Sequence, residues 1–167
     1  MNEDDPPREE HRLLESRAAC LDAIRATLAE AADHGCRELF LCDVDYAHWP
    51  LGERAVVESL TRWGYAHRRM TLLAASFDGF AQRHPRWVEW RRRWSHVVEC
   101  RLLEDAEPGR VPSLLLAPGV ATLQIFDTVH WRGSVSRATA DALRCRETVD
   151  ALMQRSVESF PATALGL

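Results

Sequence analysis

The stretch Val111-Pro112-Ser113-Leu114-Leu115-Leu116-Ala117-Pro118-Gly119-Val120-Ala121-Thr122-Leu123-Gln124-Ile125-Phe126 decides the fold. Two apolar runs, Val111 to Ala117 and Val120 to Phe126, are split by Pro118-Gly119, a dipeptide that turns the chain back on itself, so the runs read as a β-hairpin. Upstream the rhythm is different. From Arg8 to His34 the apolar residues Leu14, Ala18, Leu21, Ile24 and Leu28 fall on one helical stripe, with Gly35 as a stop. Glu38 to Cys42 is a short continuous apolar run, the mark of a strand covered on both faces. Leu51 to Tyr65 is helical again, with Val56, Leu60 and Trp63 on one side. Met70 to Ala75 is a second buried strand, and Asp78 to Trp94 a helix interrupted near His84-Pro85, because proline disfavours helix at the residue before it. Val97 to Leu102 makes a third strand. Downstream of the hairpin, His130 to Val135 adds a short strand and Ser136 to Glu158 a closing helix with the stripe Cys145, Val149, Leu152 and Met153.

Alternating strand and helix, then a hairpin and a last helix, predict an α/β fold with a mixed, mostly parallel sheet sandwiched by helices. The first three strands are expected to run parallel through right-handed crossovers. Residues 1–8, acidic and carrying Pro6-Pro7, read as a disordered tail, and 9–167 as a single α/β domain; the apolar ending Phe160 to Leu167 is expected to pack on the body.

This order of elements, with the hairpin, resembles one half of a phospholipase D-like unit from about Arg37 to Glu158. That family carries a His-x-Lys-x-x-x-x-Asp-Gly signature around the first hairpin strand. Laid on it without a gap, Val111 stands at the histidine nucleophile, Ser113 at the phosphate-binding lysine and Pro118 at the aspartate, while the apolar run and Gly119 remain. Trp131-Arg132-Gly133-Ser134 echoes the family's later Gly-Ser step, farther from the hairpin than usual. The resemblance implies the fold, and the departures imply that cleavage through a covalent histidine is unavailable. Because such folds place two halves face to face, it also implies a homodimer. The Trp49 to Arg54 segment and the Phe160 to Leu167 ending are similar to a bacterial protein family of unknown function.

Composition narrows the chemistry. The 21 basic residues are all arginine, which excludes a Schiff-base lysine or a phosphate-loop lysine. Against 25 acidic residues they leave a formal charge of −4, which argues against nucleic acid as a partner. No apolar run approaches the ~18–20 residues of a membrane span. The acidic start is unlike a signal peptide, and the five cysteines, Cys20, Cys36, Cys42, Cys100 and Cys145, are odd in number and unpaired in spacing. These features predict a cytoplasmic protein with buried thiols, no membrane association and no cofactor.

Ligands of α/β sheets gather at the carboxyl ends of strands. There the sequence offers Asp43, Asp45 and His48 after the first strand, and Ser76 and Asp78 after the second. Two carboxylates at i and i+2 would suit a divalent metal; the competing reading is that they cap a turn, and Ser76 a helix. His130, Trp131 and Arg132 form a second group. Arg91, Arg92 and Arg93, beside Trp87, Trp90 and Trp94, are candidates for a small anionic ligand; the competing reading puts the tryptophans in the core and the arginines in solvent. The expected function is a non-catalytic phospholipase D-like module that binds or assembles with a protein partner or a second copy. The alternative is a divalent-metal-dependent phosphate-handling hydrolase using Asp43 and Asp45, with an arginine-tryptophan nucleic-acid binder third.

Overall fold

The computed structural model describes residues 11–64 and 67–160. The expected tail at 1–8 and the ending beyond Phe160 lie outside the described residues. The elements run β1 (His11–Leu14), α1 (Arg17–Asp33), β2 (Glu38–Asp43), α2 (Arg54–Trp63), β3 (Arg69–Ala74), α3 (Phe80–Arg83), α4 (Pro85–Arg93), β4 (Val98–Leu102), β5 (Ser113–Ala117), β6 (Ala121–Asp127), β7 (Arg132–Ser136), α5 (Thr139–Gln154) and β8 (Val157–Glu158). The eight strands form one sheet in the order β1-β7-β6-β5-β2-β3-β4-β8.

The hairpin forms as the sequence predicts. Val120 N–H closes the turn onto the Ala117 carbonyl at 2.9 Å. Pro118 occupies the second turn position and Gly119, at φ 80°, the third, which is the left-handed conformation a type II turn demands. The first three expected strands, β2, β3 and β4, are parallel. The sheet as a whole is not: the five other neighbouring pairs are antiparallel, which corrects the mostly parallel expectation. Crossover helices enforce parallel pairing only between β2 and β4. From β5 to β7 the chain advances by hairpin and loop, so each of these strands runs against its neighbour, while β1 and β8 join the two edges antiparallel.

Two further expectations fail at helix ends. Residues 11–14 are strand β1 on β7, not the first turn of a helix. The helix begins after Ser16, whose hydroxyl accepts the Ala19 N–H at 3.0 Å, and this cap rotates the buried stripe to Cys20, Ala23, Ile24, Thr27, Leu28 and Ala31, leaving Ala18 exposed. At the other end, α5 stops at Gln154 and Val157–Glu158 pairs with β4 instead of continuing the helix. The break at His84-Pro85 is where proline predicts it: Pro85 opens α4, where its missing N–H costs nothing.

The core has two layers. One face of the sheet packs on α1, α2 and α4, burying Ile24, Leu28, Leu60, Trp63 and Trp87 with Leu39, Leu41 and Leu72. The other packs on α5, where Cys145 and Val149 meet Phe40, Cys42, Leu114 and Leu116. All five cysteines are buried and free. Burial pushes the thiol of Cys145 up to about 11 and that of Cys100 up to about 12, so both are inert packing groups at neutral pH. Among the described residues no helix is long and apolar enough to cross a membrane.

Candidate functional site

The parallel order brings the ends of β2 and β3 together: the Ala75 and Ser76 N–H groups both donate to the Val44 carbonyl at 3.0 Å. The carboxylates there are engaged in the backbone. Asp43 Oδ2 accepts the N–H of Tyr46 at 2.8 Å and of Asp45 at 3.2 Å, and Asp45 Oδ1 accepts the N–H of Ala47 at 2.9 Å. Tyr46 sits at φ 57°, and this Asx geometry holds it there while its hydroxyl donates to the Leu73 carbonyl at 2.7 Å. Ser76 accepts the Asp78 N–H at 3.1 Å but caps no helix: α3 begins after Gly79, a turn later than the sequence suggests. Among the described residues no three His, Cys, Asp or Glu side chains converge to hold a metal ion.

His48 leaves this rim and meets the second group, its ring edge-on to Trp131 at 5.9 Å, with the Arg17 guanidinium 5.6 Å from the same indole. Asp127 organises the adjoining loop, accepting the N–H groups of Val129 and His130 at 2.9 Å and the His130 ring at 2.8 Å. These bonds, the His130 backbone first, hold the Asp127 carboxyl below the usual carboxylate range. Arg132 donates to the Glu15 carbonyl and ties β7 to the start of α1.

A cleft of about 380 Å3 opens where β2 ends, β5 begins and β6 ends, lined by Asp43, Val111, Pro112, Ser113, Gln124 and Thr148 among others. Among the described residues no histidine or cysteine lines it, and the one cation lining it, Arg110, is paired with Glu107 at 3.2 Å. Val111 packs on the α5-side core, and the Ser113 hydroxyl is buried with no hydrogen-bond partner.

The arginine-tryptophan segment divides differently from its helical wheel. Trp87 and Trp90 are core residues, and Trp94 caps α4 half-buried. Arg91 is not an available anion site, which corrects the sequence reading: it is 4% exposed, donates to the Phe160 carbonyl, and lies 5.9 Å from the Trp87 ring and 5.2 Å from the Phe160 ring. Burial lowers its pKa. Its role is to fasten the segment after β8 across α4. Arg92 pairs with Glu89 at 3.0 Å. Arg93 instead lines a groove of about 350 Å3 between α2 and α4, together with Arg54, Arg86, Trp90 and Trp94. The sequence reading missed Arg54 and the contribution of α2. The available signal was charge counted by element: α2 and α4 carry six arginines against two glutamates.

No protein-family model matches the chain, and no curated protein matches it at a significant level. Solved structures do. TrmBL2, an archaeal chromatin protein whose structure shows a novel mode of DNA binding, superposes with a TM-score of 0.66 over 94% of this chain at 11% identity. The chain spans 56% of the length of that protein. NucT from Helicobacter pylori matches at 0.55, with 9% identity, over 89% of this chain and 98% of its own. Nuc from Salmonella typhimurium, a phospholipase D family member, matches at 0.50, with 7% identity, over 81% of this chain and 90% of its own. The fold is phospholipase D-like, a mixed α/β sheet flanked by helices, as the order of elements implied. The expectation against nucleic acid is overturned: it rested on the net charge of the whole chain, and a structure similar over 94% of that chain belongs to a DNA-binding chromatin protein.

Proposed function

We propose that this chain is a phospholipase D-like domain that binds nucleic acid without cutting it. The observation that carries the reading is the lining of the cleft at the hairpin entry. Under the signature alignment, a valine occupies the place of the histidine nucleophile and a buried serine that of the lysine, and among the described residues no histidine lines the cleft. A hydrocarbon side chain cannot attack phosphorus, and a chain without lysine has no ammonium group to hold the phosphate. The basic helices α2 and α4 and the likeness to TrmBL2 support nucleic acid as the ligand. Five buried free cysteines support a reducing bacterial cytoplasm as its setting.

The test is a labelled oligonucleotide incubated with the repurified protein, with and without Mg²⁺, and read by fluorescence anisotropy and then on a denaturing gel. The reading expects raised anisotropy and full-length oligonucleotide in both conditions. Products that persist through repurification would contradict it, as would anisotropy that never rises; products confined to the Mg²⁺ arm and lost in Asp43→Asn would favour the metal-dependent hydrolase.

A further inference from the structure

Charge in this molecule is partitioned. The chain carries −4, yet α2 and α4, adjacent on one face of the sheet, hold Arg54, Arg62, Arg86, Arg91, Arg92 and Arg93 against only Glu58 and Glu89. A local excess of this kind sets up a positive potential whatever the net charge of the whole. Its members are not equally available. Arg91 is buried, Arg62 pairs with Asp33, Arg92 pairs with Glu89 at 3.0 Å, and Arg54 lies 3.8 Å from Glu58 with both side chains in solvent. Arg86 reaches only the Gly52 carbonyl at 3.4 Å, and among the described residues Arg93 makes no hydrogen bond or ion pair.

The least committed cations thus flank the α2–α4 groove, where three arginines outnumber Glu58 and Glu89 and the aromatic lining is Trp90 and Trp94. Trp90 is 5% exposed and, among the described residues, its indole N–H has no partner; Trp94 is half-buried, with its rings against Gly64, where an added Cβ would stand 3.2 Å away. At about 350 Å3 the groove falls at the small end of ligand pockets, about 300–1,000 Å3. That size admits a base or two rather than the width of a duplex. Guanidinium groups and indole rings lining one groove are the combination that holds unpaired nucleic acid, by phosphate pairing and base stacking together. The hairpin-entry cleft offers less: among the described residues its one arginine is paired with Glu107, and Phe126 is its single aromatic ring.

Resting on the nucleic-acid reading above, we infer that the α2–α4 groove is the binding site, that it takes unpaired nucleotides, and that Arg86 and Arg93 contact phosphates while a base stacks on Trp94. Oligothymidylate is the probe, titrated by anisotropy and by tryptophan quenching against wild type, the Arg86→Glu/Arg93→Glu double variant, Trp94→Phe, and Arg110→Ala as a control at the cleft. Both arginines replaced are exposed and, among the described residues, in no ion pair, so thermal melts of wild type and double variant should coincide. The expected result is about tenfold or greater loss of affinity in the double variant, no change in Arg110→Ala, and quenching reduced in Trp94→Phe with most of the affinity kept. Wild-type binding left intact by the double reversal overturns the groove and leaves the nucleic-acid reading standing; no wild-type binding to any oligonucleotide removes both. A duplex of the same sequence, or polyglutamate, that binds as tightly as the single strand overturns the stacking part. Quenching unchanged in Trp94→Phe does the same.

Discussion

His84 shows how one residue here serves architecture. It sits at the break between α3 and α4, 4% exposed, with its Nε2 2.8 Å from the Tyr46 carbonyl and its ring 4.8 Å from Phe80. Burial lowers its pKa, more than the bond to Tyr46 raises it, so it folds as the neutral imidazole. Because the folded pKa lies below the unfolded value of about 6.5, the stability it contributes is present above that pH and lost as pH falls toward the folded pKa. The melting temperature is expected to drop as pH falls below about 6.5, and His84→Gln, which keeps a donor but does not titrate there, is expected to flatten that drop. A variant melting with the wild-type pH slope would show that another group is responsible. One oxygen of Asp43 serves the same end. Its position at a strand end suggested a ligand, and its Oδ2 accepts the N–H groups of Asp45 and Tyr46. A sequence shows that a carboxylate lies at a rim and not which way a turn folds around it.

At the scale of elements, what carried a strong local signal was legible. Pro118-Gly119 gave the hairpin, Pro85 gave the break before α4, and the apolar run at 38–42 gave a strand buried on both faces. The strands that escaped are short and lean on tertiary pairing. β1 is four residues, His-Arg-Leu-Leu, whose Leu14 merges into the stripe of α1, and β8 is two residues that a helical pattern absorbed; both exist because a neighbouring edge accepts them. The β6–β7 pair shows how closely such edges fit. The register shifts between Ile125 and Asp127, turning Phe126 outward to 65% exposure, and at Gly133 a Cβ would fall 2.4 Å from the Gln124 carbonyl oxygen. Gly133→Ala must therefore push β6 and β7 apart. A loss on the order of 1–3 kcal/mol is expected in chemical denaturation, with unchanged secondary-structure content. An unaltered midpoint would mean that the bulge yields freely. The Gly133-Ser134 pair, an echo of the family's Gly-Ser step in the sequence, is explained in this fold by that close approach.

For the whole molecule, the decisive quantity is the distribution of charge over the fold, which a total of −4 conceals. Averaged along the chain, the arginines argue against a polyanion; gathered on two neighbouring helices, they argue for one. The spacing of Trp87, Trp90 and Trp94 was readable in the sequence. The pairing of α2 with α4 that sets Arg54 across from Arg86 and Arg93 was not, because it arises only when β2, β3 and β4 lie side by side. The most direct measurement of the central claim is the affinity for oligothymidylate across a salt series. If Arg86 and Arg93 meet phosphates, the logarithm of the binding constant should fall with the logarithm of salt concentration at a slope of about −1.4, with the oligonucleotide recovered at full length. A flat line, or an oligonucleotide shortened in the bound sample, would contradict a domain that kept this framework to hold nucleic acid and not to cut it.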